Sequence, residues 1–238
     1  MKTVLITGGS RGIGACMVEL FASRGYRVAF TYKNSDGAAE ELSKRCGALA
    51  VRADSSSEKD VEYAVKTVEE KLGNIEILIN NAAVSSFSLF TDITLEEWNR
   101  MFAVNVTGCF LYSRATLPSM IRNKCGRIIN VSSMWGIVGS SCEVHYSATK
   151  AAIIGMTKAL AKEVGPSGIT VNCIAPGVID TEMNKQISDE DLNALKEETP
   201  LMRIGTPTDV ANCALFLAGD EASFITGEVL NVNGGFIT

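Results

Sequence analysis

The stretch SSCEVHYSATK, residues 140–150, places a phenol at Tyr146 and an ammonium at Lys150, behind an acid at Glu143 and the only histidine of the chain, His145. Residues at i and i+4 share one face of a helix. A free tyrosine ionises near ~10, so its phenolate is scarce at neutral pH. A cation held beside it favours the phenolate and is expected to lower that pKa by about one to three units. Such a pair can give a proton in one direction of a reaction and take it back in the other. Glu143, three residues before Tyr146, lies toward the same face. It reads either as an ordinary acid of a helix start or as a carboxylate overhanging whatever binds beside the phenol. His145 sits about 100° around the helix from Tyr146 and is expected on the helix surface or at a subunit contact.

A second constellation is TGGSRGIG, residues 7–14, which follows a strand-like run and opens into a helical pattern. Gly8, Gly12 and Gly14 are spaced G-x-x-x-G-x-G, not the G-x-G-x-x-G of the usual dinucleotide fingerprint, but the physics is shared. Small residues let backbone N–H groups and a helix N-terminus approach a pyrophosphate. No Gly-Lys-Ser/Thr follows, so this is not a nucleoside-triphosphate loop. A site for NAD places an acid at the end of the second strand, to hold the ribose hydroxyls. That end reads FTYKN here, with Tyr32 where the acid would stand, Lys33 after it and Arg11 in the glycine turn. Two cations and no carboxylate suit a 2′-phosphate, so NADP(H) is the expected cofactor.

The elements that must position these groups alternate from end to end. TVLIT, RVAFTY, ALAVRA, IEILIN, RIINVS, ITVNCI and EVLNV read as strands, near-continuously apolar as in a parallel sheet buried on both faces. Between them Ile13, Met17, Leu20 and Phe21 form one apolar helix face that Gly25 ends. Ser57 with Asp60, and Thr94 with Glu97, have the spacing of capping boxes, and Thr206-Pro207-Thr208-Asp209 opens another helix. The prediction is an α/β chain, a three-layer Rossmann fold with a seven-stranded, mostly parallel doubly wound sheet, forming one domain over residues 1–238.

Composition narrows the function classes. A net charge of −5 without a Lys/Arg run argues against nucleic acid. MKTVLI passes directly into the first strand, so no signal peptide is read, and no run of about 18 apolar residues is present to span a membrane. Seven scattered cysteines without a C-x-x-C pair are expected to be reduced thiols of a cytoplasmic protein, and with one histidine no metal site is expected.

Taken together, TGGSRGIG, Asp54 after the third strand, NNAA at 80–83, NVTG at 105–108, the serine pair at 132–133, Tyr146-x-x-x-Lys150 and PGVIDTEM at 176–183 resemble the short-chain dehydrogenase/reductase family over nearly the whole chain. The tail from Pro200 to Gly235 is similar to that of the 3-oxoacyl-acyl-carrier-protein reductases. The resemblance implies a catalytic tetrad of Asn105, Ser133, Tyr146 and Lys150, with Ser133 thirteen residues before Tyr146 as the family pattern requires. Ser133 would hold the substrate oxygen, and Asn105 a water linking Lys150 to solvent. It also implies cofactor contacts from Gly8, Ser10, Arg11, Gly12, Ile13, Gly14, Lys33, Asp54, Asn81, Ala82, Ala83, Tyr146, Lys150, Pro176, Gly177, Ile179 and Thr181. Ala83 departs from the family, which has glycine there; a methyl crowds the cofactor slightly.

The reaction implied is NADPH-dependent reduction of a ketone to a secondary alcohol, as in the 3-oxoacyl-acyl-carrier-protein reductases of fatty acid biosynthesis. Locally, SSMWGIVGSSCEVHYSATK and SMIRNKCG resemble a subgroup that reduces an aminopentanone on a lysine of elongation factor P. That substrate carries an ammonium, which Glu143 would pair with and Trp135 would face as a cation–π partner; Met183 is the third candidate substrate residue. A carrier-protein thioester would instead use cations such as Lys124 and Arg127, although Ser167 stands where carrier-using relatives often have a basic residue. A non-catalytic NADP-binding sensor is the alternative from another class, opposed by the intact tetrad. Residues 181–203 are the expected substrate lid. The family also implies a homotetramer packed through residues 96–118 and 144–164.

Overall fold

The computed structural model describes residues 1–184 and 188–237, with the backbone alone at Met183 and Asp189. The chain runs β1 (Thr3–Ile6), α1 (Gly12–Ser23), β2 (Arg27–Tyr32), α2 (Asp36–Cys46), β3 (Leu49–Arg52), α3 (Glu58–Leu72) and β4 (Ile77–Asn80). It continues through α4 (Leu95–Phe102), α5 (Gly108–Asn123), β5 (Gly126–Val131), α6 (Trp135–Val138), α7 (Val144–Val164) and β6 (Ile169–Pro176). Last come α8 (Asp189–Glu198), α9 (Pro207–Ala218) and β7 (Val229–Val232). All seven expected strands are present, and the sheet order is β3-β2-β1-β4-β5-β6-β7. Every pairing is parallel, so the sheet is wholly rather than mostly so.

Alternation along each strand explains the continuous apolar runs. Successive side chains point to opposite faces: Val4 and Ile6 of β1 join one core with Met17, Phe21, Val210 and Leu217, and Leu5 joins the other with Val61, Leu111 and Val171. Both faces are covered by helices, so the central strands are buried throughout and the exposed positions fall on β2, β3 and β7, at Arg27, Arg52 and Asn231. The chain reverses its winding between β1 and β4, which opens a crevice at the C-terminal ends of the strands. The glycine turn, the 80–83 segment and the serine pair all leave strands at that edge.

Thr94 and Thr206 form complete capping boxes with Glu97 and Asp209. Ser57 is a correction: its hydroxyl accepts the Asp60 N–H, but the Asp60 carboxylate reaches past the cap to the Asp54 N–H, 2.9 Å away. A half-box results, and the acid that was expected to close it instead orders the turn carrying Asp54. Of the expected lid, α8 is capped by Ser188; residues 185–187 and the Met183 side chain lie outside the described residues.

Candidate active site

Ser133 and Lys150 reach the crevice from opposite sides of one tight packing contact. A β-carbon on Gly136 in α6 would lie 2.7 Å from the Lys150 carbonyl carbon and 2.8 Å from Ser132 Oγ, so only glycine lets α6 seat on α7. Ser132 Oγ completes the seam by donating to the Lys150 carbonyl at 2.8 Å. Asn105, Ser133, Tyr146 and Lys150 are all buried. The Ser133 hydroxyl accepts the Trp135 N–H at 3.1 Å, the first turn of α6 pinning it in place.

The electrostatics differ from the expectation for Tyr146. Burial, then the Glu143 carboxylate, push the phenol above its usual value, and the Ser133 hydroxyl offsets them only in part. Lys150 does not draw it down, because its ammonium donates to the Val131 carbonyl at 2.9 Å and stands 5.4 Å from the Tyr146 ring centroid. Burial in turn pulls Lys150 down to about 8. In this state the phenol keeps its proton and is an acid waiting for an acceptor.

Asn105 lies in a π-helical turn, Ala103–Thr107, between α4 and α5. Such wide turns are rare and gather at functional sites. Its amide accepts the Val84 N–H at 2.8 Å and donates to the Val84 carbonyl at 2.9 Å and to Thr149 Oγ1 at 3.1 Å. The side chain therefore clamps the loop after β4.

That loop is also tied to the start of α7. Ser85 Oγ lies 3.5 Å from Glu143 Oε1, Ser86 Oγ 2.8 Å from His145 Nε2, and the Ser88 N–H donates to the Cys142 carbonyl at 2.9 Å. His145 is a correction: it is 1 % exposed, packed between the loop and α4, not on a helix surface. The signal missed was the serine pair opposite it, which only folding brings near. Glu143 is the N-cap residue of α7, yet its side chain caps nothing. It is 5 % exposed, burial raises its carboxyl above the ordinary value against the Ser85 and Ser140 hydroxyls, and among the described residues no cation pairs with it. Trp135 packs edge-on against Phe236 with ring centroids 5.8 Å apart.

On the other side of the crevice the glycine turn is close-packed. A β-carbon on Gly14 would meet the Gly8 carbonyl oxygen at 2.3 Å and Asn81 Nδ2 at 2.7 Å. Thr7 Oγ1 accepts the N–H groups of Asn81 and Ala82 at 3.0 and 2.9 Å, and Asn81 Nδ2 donates to the Thr7 and Gly8 carbonyls. Ala82 and Ala83 are half-buried beside it, as are Ser10 and Ile13 in the turn itself. Beyond β6, Pro176 and Gly177 lead to Ile179, whose side chain is buried in the core, and to Thr181, whose methyl would stand 3.4 Å from a β-carbon on Gly12. The segment thus crosses over the turn, leaving a cradle without side chains that fits a pyrophosphate.

Neither cation expected beside a 2′-phosphate is unengaged. Lys33 Nζ lies 2.5 Å from Asp54 Oδ2, and Arg11 Nη1 3.3 Å from Glu182 Oε2. Burial works against the Asp54 charge, but Lys33 and the two Ser56 hydrogen bonds outweigh it and hold the carboxyl below its usual value. These pairs are largely exposed, and such pairs are worth about 0–1 kcal/mol, so a phosphate can compete for either cation.

The family model described as Enoyl-(Acyl carrier protein) reductase matches residues 8–237. The chain is 42 % identical over 239 residues to the 3-oxoacyl-[acyl-carrier-protein] reductase of Aquifex aeolicus, covering 98 % of this chain and 96 % of the relative. It is 39 % identical over 237 residues to the enzyme of that name from Vibrio cholerae, with the same coverage. Among solved structures, a blue fluorescent protein from a metagenomic library, in complex with NADPH, superposes with a TM-score of 0.94 at 35 % identity, covering 100 % of this chain and 98 % of that one.

Proposed function

Because the chain belongs to the short-chain dehydrogenase/reductase family, we propose that it reduces a ketone to a secondary alcohol with NADPH, acting on 3-oxoacyl-[acyl-carrier-protein] thioesters as its relatives are named to do. The observation that carries this reading is the buried phenol of Tyr146, held protonated next to Ser133 at the strand edge that the glycine turn shares. NADPH, when bound, supplies the hydride. The cradle of Gly8, Gly12 and Gly14, with Asn81, Ala82 and the Pro176–Thr181 segment, would hold it. Ser133 Oγ donates to the ketone oxygen and fixes its position. As negative charge grows on that oxygen, Tyr146 transfers its proton there. The Lys150 ammonium, next to the ring, then faces a phenolate and favours it until a proton returns.

A second reading is favoured by one observation: Glu143 is a buried carboxylate on the Tyr146 side of α7 with no cation beside it among the described residues. A ketone bearing a terminal ammonium, such as the aminopentanone on a lysine of elongation factor P, would supply that cation. Of the two cations expected to dock a carrier protein, Lys124 is exposed, while Arg127 is 8 % exposed and turned toward Asp220 at 3.8 Å. NADPH oxidation with an acetoacetyl thioester and with a short amino ketone, in wild type and Glu143→Gln, separates the two. The thioester reading requires good turnover of the thioester that Glu143→Gln leaves unchanged. A preference for the amino ketone that Glu143→Gln removes establishes the second, and no turnover of any ketone leaves only NADP sensing. A cytoplasmic homotetramer belongs to the same proposal, supported by the exposed Leu95 and Phe110 on α4 and α5 and checked by sedimentation.

A further inference from the structure

We propose that Arg52 is the residue by which this enzyme discriminates in favour of the 2′-phosphate of its dinucleotide. The inference rests on the NADPH reading and names which side chain executes it. Arg52 closes β3 and is the register partner of Tyr32, the last residue of β2. The end of the second strand is where a ribose of the adenosine half lies in this class of fold. From its place across the strand pair, the Arg52 side chain turns along the β2–α2 connection, and its Nε donates to the Lys33 carbonyl at 3.1 Å.

That single bond decides the matter. It holds the guanidinium plane through Nε and leaves the terminal nitrogens pointing onward, and the nearest acid to them, Asp36 Oδ1, is 3.9 Å from Nη1, too far for a hydrogen bond. Lys33 and Arg11 are held otherwise: each lies within hydrogen-bond distance of a carboxylate, Lys33 of Asp54 and Arg11 of Glu182, so a phosphate reaches either only by displacing that acid. Of the three cations, Arg52 alone is anchored through its backbone-facing nitrogen and retains the two-pronged edge that matches two phosphate oxygens. Asp36, beside the Tyr32 hydroxyl, is the anion that a 2′-phosphate would displace from this guanidinium. The same carboxylate therefore opposes phosphate binding.

Isothermal titration of 2′,5′-ADP and of 5′-AMP into wild type, Arg52→Gln and Asp36→Asn reads this directly, without turnover. Arg52→Gln is expected to weaken 2′,5′-ADP by about tenfold or more while leaving 5′-AMP within about twofold. Retained 5′-AMP binding also shows that the variant is folded. Asp36→Asn is expected to tighten 2′,5′-ADP. The proposal is overturned if Arg52→Gln keeps the wild-type preference, or if it weakens both ligands equally. A wild type that binds 5′-AMP as tightly as 2′,5′-ADP overturns the NADPH reading itself, an outcome distinct from the failure of Arg52 alone.

Discussion

Ser86 Oγ and His145 Nε2 meet at 2.8 Å, joining the loop after β4 to the first turn of α7 in the interior of the protein. Among the described residues the imidazole has no other partner, since its Nδ1 is buried and unbonded. Ser86→Ala thus strands a buried ring nitrogen, which costs about 1–3 kcal/mol. Urea titration should show the midpoint falling accordingly. The same loop carries Val84 against Asn105, so KM for the ketone should rise more than kcat falls. An unchanged midpoint would mean that the pair contributes nothing.

Glu143→Gln should stabilise the enzyme at neutral pH. The raised carboxyl pKa means that the folded state binds this proton more tightly than the unfolded chain does. The folded form is therefore favoured by the group at acid pH, and that advantage is lost as pH rises through the folded pKa, leaving a buried charge that no cation pairs with among the described residues. Removing the charge should raise the melting temperature at pH 7–8 by about 2–4 °C, equivalent to about 1 kcal/mol for a chain of this size. The difference should close as pH approaches 4. A lower melting temperature for the variant at pH 7 would refute this account.

Lys150 gives the opposite dependence. Its pKa, pulled down to about 8, lies below that of an unfolded lysine near ~10.4. Between those values the unfolded state binds more protons, so the cofactor-free enzyme should gain stability as pH rises from 8 toward 10. Lys150→Met should abolish reduction and flatten this rise, because the buried methionine has no charge to lose. Melting curves at pH 7, 8, 9 and 10 for both proteins test it, and parallel curves would contradict it.

At Gly14 the prediction is steric. The β-carbon of Gly14→Ala would stand 2.3 Å from the Gly8 carbonyl oxygen, and backbone must move to admit it. A cost of about 1–3 kcal/mol is expected, along with loss of quenching of intrinsic fluorescence on titration with NADPH. Full retention of both stability and binding would show that the turn is not close-packed.

The parts of this architecture that were legible in sequence are those written in local pattern. Continuous apolar runs such as TVLI and ILIN follow from a sheet covered on both faces, and Thr94-x-x-Glu97 announces its own capping box. The glycine turn and the Tyr146–Lys150 spacing are equally local. What was not legible depends on contacts between residues far apart in the chain. Nothing near Asp60 tells that its carboxylate will take the Asp54 N–H in place of the Ser57 N–H. Nothing near His145 announces Ser86, 59 positions away, and so its burial was misjudged. The Tyr146 pKa was expected to fall because spacing puts Lys150 on the same face, whereas burial and the Glu143 carboxylate push it up, and the ammonium beside the ring gives its hydrogen bond to the Val131 carbonyl supplied by β5. Arg52 carried no motif at all. Only the pairing of β3 with β2 brings it to Tyr32.

The five-residue π turn at Ala103–Thr107 leaves the enzyme with an unusual vulnerability. The turn holds one residue more than an uninterrupted α-helix would use. Loss of a residue beside Asn105 would close the wide turn and let α4 and α5 run on as one continuous α-helix, without the widened backbone that lets Asn105 reach Val84. Asn105 would swing away from Val84, and the loop that borders the substrate would lose its clamp. Point changes on the outer side of this stretch can be absorbed by side-chain adjustment, but a one-codon deletion cannot. The reading register of the helix, more than the chemistry of its residues, is what keeps this wall of the pocket upright.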